Sequence, residues 1–230
     1  MKTSVIIPSG GVGKRFGGDM PKQFVELAGA PILIHTIRIF DNIDDVESIV
    51  IAVHNEWFTY AKELIKKFDC KKVTDIVLAG KERQDSVANG LHTKSVQESE
   101  LVLVHDAVRP FASPALIQKL IDEAEELGAV IPVTEPKETI KERNNKDMVV
   151  RTLDRSKLAM VQTPQAFWYD IIKTAYEKAA VASYKGTDDA SLVEFIGYKV
   201  SVIEGEEENL KITDPFDMRV AELILNEHKK

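Results

Sequence analysis

Apolar positions follow two alternating spacings along this chain. Short runs rich in Val and Ile at 3–7 (TSVII), 47–53 (ESIVIAV), 74–79 (TDIVLA), 100–105 (ELVLVH), 128–133 (GAVIPV) and 198–205 (YKVSVIEG) have the length and β-branched content of strands. Between them, helical spacing predicts helices at 32–40, 55–68, about 84–94, 114–127, 169–182, 188–195 and 215–226. Strand and helix in turn make an α/β protein: a mostly parallel sheet flanked by helices and joined by right-handed crossovers. In such sheets ligands bind beyond the carboxyl ends of strands, at a switch in strand order. The segments that follow 3–7, 74–79 and 100–105 belong to that edge.

The interval 134–161 breaks the rhythm. It has little helical periodicity, carries the polar run KERNNKD (141–147), and resumes strand-like alternation in MVVRTLDR (148–155). Two extended pieces, 138–141 and 149–153, with Asn144-Asn145 near the tip, predict a β-hairpin arm over 134–157 that protrudes from a single domain spanning 1–230. Structureless excursions of this length inside a compact domain are uncommon and usually functional or disordered.

Composition narrows the classes. A chain of 230 residues, 44% hydrophobic and 29% charged, can bury a full core. Its formal net charge of -7 argues against binding a nucleic-acid polymer, though it leaves room for a local cationic pocket. The single cysteine, Cys70, can form neither an internal disulfide nor a cysteine-based zinc cluster. No apolar run approaches the roughly 20 residues of a membrane helix, and the first residues lack a signal-peptide layout. No membrane association and a cytoplasmic location are therefore expected.

The chemistry begins at PSGGVGKRFGGDMPKQF (8–24). A glycine-rich turn directly after a strand lets backbone N–H groups cradle an anion, and Gly10, Gly11 and Gly13 allow close approach to it. Arg15 and Lys22 add formal charge, with Pro21 stiffening the chain just before the lysine. The spacing does not fit a Walker A loop, because Gly13-Lys14 is followed by Arg15 instead of Ser or Thr. It does not fit a dinucleotide fingerprint either, since Phe16 stands where the third glycine belongs. A dehydrogenase is disfavoured on that ground.

A glycine-rich loop ending in Arg15 and followed by Pro21-Lys22 resembles the signature of nucleotidyltransferases that load a sugar or polyol phosphate onto a nucleotide. The narrower resemblance is to the 2-C-methyl-D-erythritol 4-phosphate cytidylyltransferase family. It extends through GKERQDSV (80–87), VHDAVRPF (104–111), TLDRSKL (152–158), QTPQAF (162–167), TDDAS (187–191) and NLKIT (209–213). Two departures keep small residues: Ser9-Gly10-Gly11 replaces the usual Ala-Ala-Gly, and Ala79-Gly80 the usual Gly-Gly. The resemblance implies a Rossmann-like sheet of the nucleotide-diphospho-sugar transferase type. It further implies transfer of CMP from CTP to methylerythritol phosphate with release of pyrophosphate, in non-mevalonate isoprenoid biosynthesis. Ribitol-5-phosphate cytidylyltransferases share several of these motifs and form the alternative. A non-catalytic nucleotide-binding module is a third reading, opposed by the presence of Arg15, Lys22 and Lys211 together.

In nucleotidyl transfer a phosphate oxygen attacks the α-phosphorus in line with departing pyrophosphate, so positioning and cationic stabilisation can supply the catalysis. Arg15 and Lys22 are accordingly assigned to the α-phosphate and the leaving group, and Lys211 to the nucleophile and α-phosphate. A salt bridge from Lys211 to the acidic run EGEEEN (204–209) is the bland reading. Ser9, Gly10, Gly11, Gly13, Gly80, Arg83 and Ser86 are expected around the nucleotide, with helix capping the competing role for Asp85 or Ser86. Asp106 is assigned to polyol hydroxyls, to Mg²⁺ arriving with the CTP phosphates, or to both. Arg109 has the alternative of pairing with Asp106 or a carbonyl, and His105 is expected to pack or hydrogen-bond instead of acting as a base. Thr163 and Thr187 are assigned to the polyol phosphate. The resemblance further implies a homodimer in which the arm carries Thr139 and Arg155 into the neighbouring subunit's site, and no organic cofactor.

Overall fold

The computed structural model describes residues 1–11 and 20–228. In chain order the elements are β1 (Thr3–Ser9), β2 (Glu26–Leu27), β3 (Ala30–Pro31), α1 (Ile32–Asp41), β4 (Val46–Val53), α2 (Phe58–Lys67) and β5 (Val73–Leu78). There follow α3 (Arg83–Leu91), α4 (Lys94–Gln97), β6 (Leu101–Val104), α5 (Pro114–Leu127), β7 (Ala129–Thr134), β8 (Lys141–Arg143) and β9 (Val149–Thr152). The chain ends with β10 (Met160–Val161), β11 (Gln165–Trp168), α6 (Tyr169–Ala182), α7 (Asp189–Phe195), β12 (Ser201–Glu204) and α8 (Pro215–Glu227).

Among the described residues the main sheet runs β10-β7-β11-β6-β1-β4-β5, with β12 added alongside β7. β1 pairs in parallel with both β4 and β6, so the chain leaves β1 toward one side of the sheet and later returns on its other side. That is the switch in strand order, and it opens a crevice beyond the carboxyl end of β1. β11 is antiparallel to β6 and β7 and sits between them. Sequence patterning does not predict it: the strand is only the four residues QAFW after Pro164, too few to register a period.

Period-two alternation divides β1 between two cores. Val5 and Ile7 join Leu33, Ile37 and Phe40 of α1, Leu64 of α2 and Leu120 of α5 on one face. Ile6 points the other way, with Val87 of α3, Ile172 of α6 and Leu192 of α7. All of these side chains are buried, which fixes the register: a one-residue slip of β1 would exchange its two faces. α5 matches its predicted bounds, because Ser113 accepts the Leu116 N–H as N-cap and Pro114 occupies the first turn.

The arm pairs as β8 with β9, the strands lying a few residues later than expected in the first and close to expectation in the second. Asn144 makes the turn, its Oδ1 accepting from the N–H groups of Lys146 and Met148. Among the described residues this two-stranded sheet joins no other, and Met148, Val149 and Val150 are each more than half exposed.

Candidate functional site

The loop after β1 is held at both ends by one side chain. Gln23, buried in the short 3₁₀ turn Lys22–Phe24, donates through Nε2 to the carbonyls of Ser9 (2.8 Å) and Gly11 (3.0 Å). Sequence reasoning noted Gln23 only as part of a motif; its amide is what ties Lys22 to the end of β1. Residues 12–19, and with them the expected site residues Gly13 and Arg15, lie outside the described residues.

Two glycines allow close packing here, one between the loops and one within the second. A Cβ on Gly10 would stand 2.4 Å from the Cβ of Ala79, and one on Gly80 would stand 2.1 Å from the Cβ of Asp85. A side chain at Gly10 would push the β1 loop away from the segment after β5, and one at Gly80 would force that segment's own turn into α3 apart. Ser86 locks that segment from within, its buried hydroxyl donating to the Glu82 carbonyl and accepting from the Gly80 N–H, both at 3.1 Å. Asp85 accepts from the Glu82 N–H at 3.0 Å, so the capping role belongs to it.

These loops and the segment after β6 enclose a cavity of about 320 Å³ lined by Pro8–Gly11, Lys22, Gln23, Gly80–Arg83, Ser86, Asp106–Val108 and Lys211. A larger, shallower groove of about 470 Å³ between α6 and α7 is lined by Glu177, Lys178, Val181, Phe195 and Ile196. It lies at no strand end and offers a triphosphate a single cation beside a carboxylate, so the smaller cavity is the candidate site.

Asp106, 8% exposed, is the electrostatic centre of that cavity. Lys211 Nζ lies 2.8 Å from its Oδ2, Arg109 Nε 3.5 Å from the same oxygen, and Arg83 Nε 3.3 Å from Oδ1. Burial would raise the Asp106 pKa, but Arg83 and Lys211, with Arg109 behind them, hold it well below the usual carboxylate range. Arg83 reaches a second carboxylate with Nη2, 2.7 Å from Oδ2 of fully buried Asp189. Burial there disfavours the guanidinium charge, and Asp189 and Asp106 more than reverse the effect.

Lys211 is placed by its neighbours. Asn209, fully buried, donates to the Thr163 carbonyl (2.9 Å) and accepts the Arg109 guanidinium on its own carbonyl (2.6 Å). Ile212 N–H bonds to the Val108 carbonyl, and Thr213 donates through both N and Oγ1 to Asp217 at the start of α8. The acidic residues before Lys211 turn elsewhere: Glu206 takes Ser113, Glu207 pairs with Lys137 and Glu208 with His228. The bland reading of Lys211 therefore gives way to the ion pair with Asp106.

His105 has no exposure and no access to the cavity. Its Nε2–H donates to the Arg109 carbonyl (2.9 Å), leaving Nδ1 to accept the Thr163 hydroxyl (3.1 Å). Burial lowers its pKa to about 4, and the ring is neutral at physiological pH. The same Thr163 hydroxyl accepts from the Asp106 N–H at 3.1 Å. Thr163, expected to face the polyol, is buried and engaged in holding Asp106.

Thr139 and Arg155 are not brought to this cavity by their own chain. Both are exposed, and Arg155 Nη1 donates to the Lys137 carbonyl at 2.6 Å. Thr187 is exposed just before α7, where Asp188 serves as N-cap. For a divalent ion the donor set fits poorly: among the described residues no three carboxylate, histidine or cysteine groups cluster, and both oxygens of Asp106 already face cations. A divalent ion taken directly by Asp106 would have to displace Lys211 or Arg83 from its oxygens.

Comparisons with known proteins identify the family. The family model IspD, 2-C-methyl-D-erythritol 4-phosphate cytidylyltransferase, matches residues 3–227. The protein of that name from Alkaliphilus metalliredigens is 43% identical over 230 residues, covering 99% of this chain and 95% of the relative. Its counterpart from Syntrophotalea carbinolica is 41% identical over 227 residues, covering 98% and 97%. Among solved structures, 4-diphosphocytidyl-2C-methyl-D-erythritol synthase from Anaerococcus prevotii superposes with a TM-score of 0.84 at 32% identity, covering 97% of this chain and 96% of that one. The 2-C-methyl-D-erythritol 4-phosphate cytidylyltransferase from Thermus thermophilus gives 0.79 at 30% identity, covering 98% and 100%. With the glycine loop, the Asp106 cluster and Lys211 meeting at one sheet edge, and the match running almost from end to end, this chain belongs to the 2-C-methyl-D-erythritol 4-phosphate cytidylyltransferase family.

Proposed function

We propose that the protein transfers CMP from CTP to 2-C-methyl-D-erythritol 4-phosphate, releasing pyrophosphate and 4-diphosphocytidyl-2-C-methyl-D-erythritol for isoprenoid biosynthesis. The observation that carries the reading is the cavity itself, where a glycine loop, Lys22 and Lys211 face one another beside the buried carboxylate of Asp106. A phosphate oxygen of the polyol attacks the α-phosphorus of CTP; a P–O bond forms as the bond to pyrophosphate breaks, and the electron pair leaves with it. The nucleophile is already ionised, so no general base is needed, in keeping with a neutral, enclosed His105.

Arg15 and Lys22 act on the α-phosphate and the departing pyrophosphate, where negative charge accumulates in the transition state. Lys211, steered by Asp106, draws the polyol phosphate toward the α-phosphorus. Ser9, Gly10, Gly11, Gly13, Gly80, Arg83 and Ser86 surround the base and ribose, with backbone groups selecting cytosine. Asp106, held by Thr163, together with Arg109 and Thr187, receives the polyol. Mg²⁺ would arrive with CTP and would supply neutralisation of phosphate charge. No organic cofactor is required.

Two subunits complete each site in this reading. Exposed Met148, Val149 and Val150 on the arm supply an apolar surface for a second copy, and Arg155 and Thr139 of one chain then reach the polyol phosphate bound by the other. A cytoplasmic enzyme without nucleic-acid or membrane partners completes the proposal; among the described residues no helix is long and apolar enough to cross a membrane. The test is pyrophosphate release with CTP and either methylerythritol phosphate or ribitol 5-phosphate. Turnover with the first and little with the second supports the reading, and the reverse would assign the chain to ribitol phosphate.

A further inference from the structure

Behind the cavity wall lies a buried pair of side chains that is not part of the lining. Asp189, the first residue of α7, has no solvent exposure and divides its carboxylate between two partners: the Tyr176 hydroxyl donates to Oδ1 at 2.5 Å, and Arg83 Nη2 donates to Oδ2 at 2.7 Å. Tyr176 belongs to α6 and is 7% exposed. The Arg83 side chain thereby spans two carboxylates, Asp189 through Nη2 and Asp106 through Nε. Neither Asp189 nor Tyr176 lines the cavity, whereas Arg83 and Asp106 both do.

A buried carboxylate is expensive to desolvate, and apolar replacements are often as stable or more so, so stability alone explains Asp189 poorly. Its geometry has a definite consequence for Arg83. A guanidinium left with one carboxylate prefers to grip it with two parallel N–H···O bonds. Asp106 would then offer both oxygens to Arg83, and Lys211, which now lies 2.8 Å from Oδ2, would lose its anchor. Asp189 prevents this by holding the outer nitrogen of Arg83 away. The Asp106 Oδ2 that results is shared by Lys211 and Arg109, and three cations against two carboxylates leave surplus positive charge at the cavity wall.

We propose that Asp189, braced by Tyr176, is a positioning residue for the transfer reaction: it acts through Arg83 to keep Asp106 available to Lys211. The inference rests on the functional reading above, and it concerns residues that never meet substrate. Its signature is therefore coupling to Arg83, together with a kcat effect that exceeds any change in CTP affinity.

Asp189→Asn and Tyr176→Phe are compared in the wild-type and Arg83→Gln backgrounds, with initial rates, KM for CTP and thermal unfolding measured for each. Asp189→Asn is expected to lower kcat by roughly 10- to 100-fold with KM for CTP changed by less than about threefold, and Tyr176→Phe by a smaller factor. In the Arg83→Gln background either substitution should cost no more than about a further twofold, since its route of action is gone. Wild-type kcat in Asp189→Asn, or an equal loss in both backgrounds, overturns the proposal. If Asp189→Asn does not fold, Tyr176→Phe decides by the same criterion: its loss must vanish beside Arg83→Gln. Wild-type turnover with CTP and methylerythritol phosphate is the control; without it the functional reading fails, and with it an additive result rejects only the positioning role.

Discussion

The sheet-edge cavity and the arm differ in how completely one chain satisfies them. Among the described residues, the central polar side chains of the cavity have partners in the same chain: Asp106 has three cations, Ser86 two backbone groups, and Thr163 both His105 and the Asp106 N–H. On the arm the apolar side chains of Met148, Val149 and Val150 are exposed, and Arg155 donates to the carbonyl of Lys137. On the function proposed above, the contrast separates a nucleotide half that one chain assembles from an arm whose exposed apolar surface is assigned to a second copy. Mutations in the two regions should therefore fail in different ways.

The largest effect is expected inside the cavity. Lys22→Ala should lower kcat by about 100- to 1,000-fold, the cost of removing one charge that stabilises a transition state, with a smaller change in KM for CTP. Near-normal turnover in steady-state assays would remove Lys22 from the chemistry and weaken the distinction between the two regions.

Next comes the pH dependence of folding stability, which belongs to the enclosed region alone. His105 has a folded pKa of about 4 against 6.5 for the free side chain. The unfolded chain therefore binds the proton first as pH falls, so the stability contributed by keeping His105 neutral is complete above 6.5 and is lost between 6.5 and 4. Across that window the loss approaches about 3 kcal/mol. Denaturant titrations should show this slope, and His105→Asn should flatten it whatever its absolute cost. Asp106 adds a separate acid loss, since its depressed pKa gives stability that disappears only at pH values below the ordinary carboxylate range.

On the arm, Arg155→Ala should raise KM for the polyol phosphate by roughly 10- to 100-fold, as loss of one charged hydrogen bond to a phosphate would, while KM for CTP stays nearly constant. Equal effects on both substrates would place Arg155 outside the expected role. The smallest effect is on the stability of the single chain: Val149→Asp should change it by no more than about 0.5 kcal/mol, because the side chain is exposed there. Sedimentation should nonetheless show monomers in place of dimers, and a variant that remains dimeric would move the interface elsewhere.

Much of this was legible in the sequence because local chemistry and global fold agree. The helices at 114–127 and 169–182 carry their period over their full length, and the strand ends that hold the glycine loop, Gly80 and Asp106 follow from strict β-branched runs. What patterning missed were pairings that only three dimensions create. β11 is too short to show a period, and the first arm strand forms at Lys141–Arg143 because register is set by the Asn144 turn. Gln23, Asn209 and Asp189 are polar residues made structural by partners up to 106 positions away, a separation that no motif spacing encodes. Thr163 looked like a substrate contact because a hydroxyl near an active edge has no sequence feature that reveals His105 and Asp106 as its partners.

The central claim, that a nucleotide half from one chain is completed by the arm of another, is tested most directly by subunit exchange. Lys22→Ala and Arg155→Ala proteins are prepared separately, mixed, and allowed to exchange, with mixed dimers verified by two affinity tags. Each mixed dimer then contains one site with Lys22 from one chain and Arg155 from the other, both wild-type. Activity at limiting polyol phosphate should rise above that of either parent to about a quarter of the wild-type rate at equal mixing, as expected when half of the symmetric dimers carry one intact site. Demonstrated exchange with no gain in activity would contradict the account and return Arg155 to its own chain.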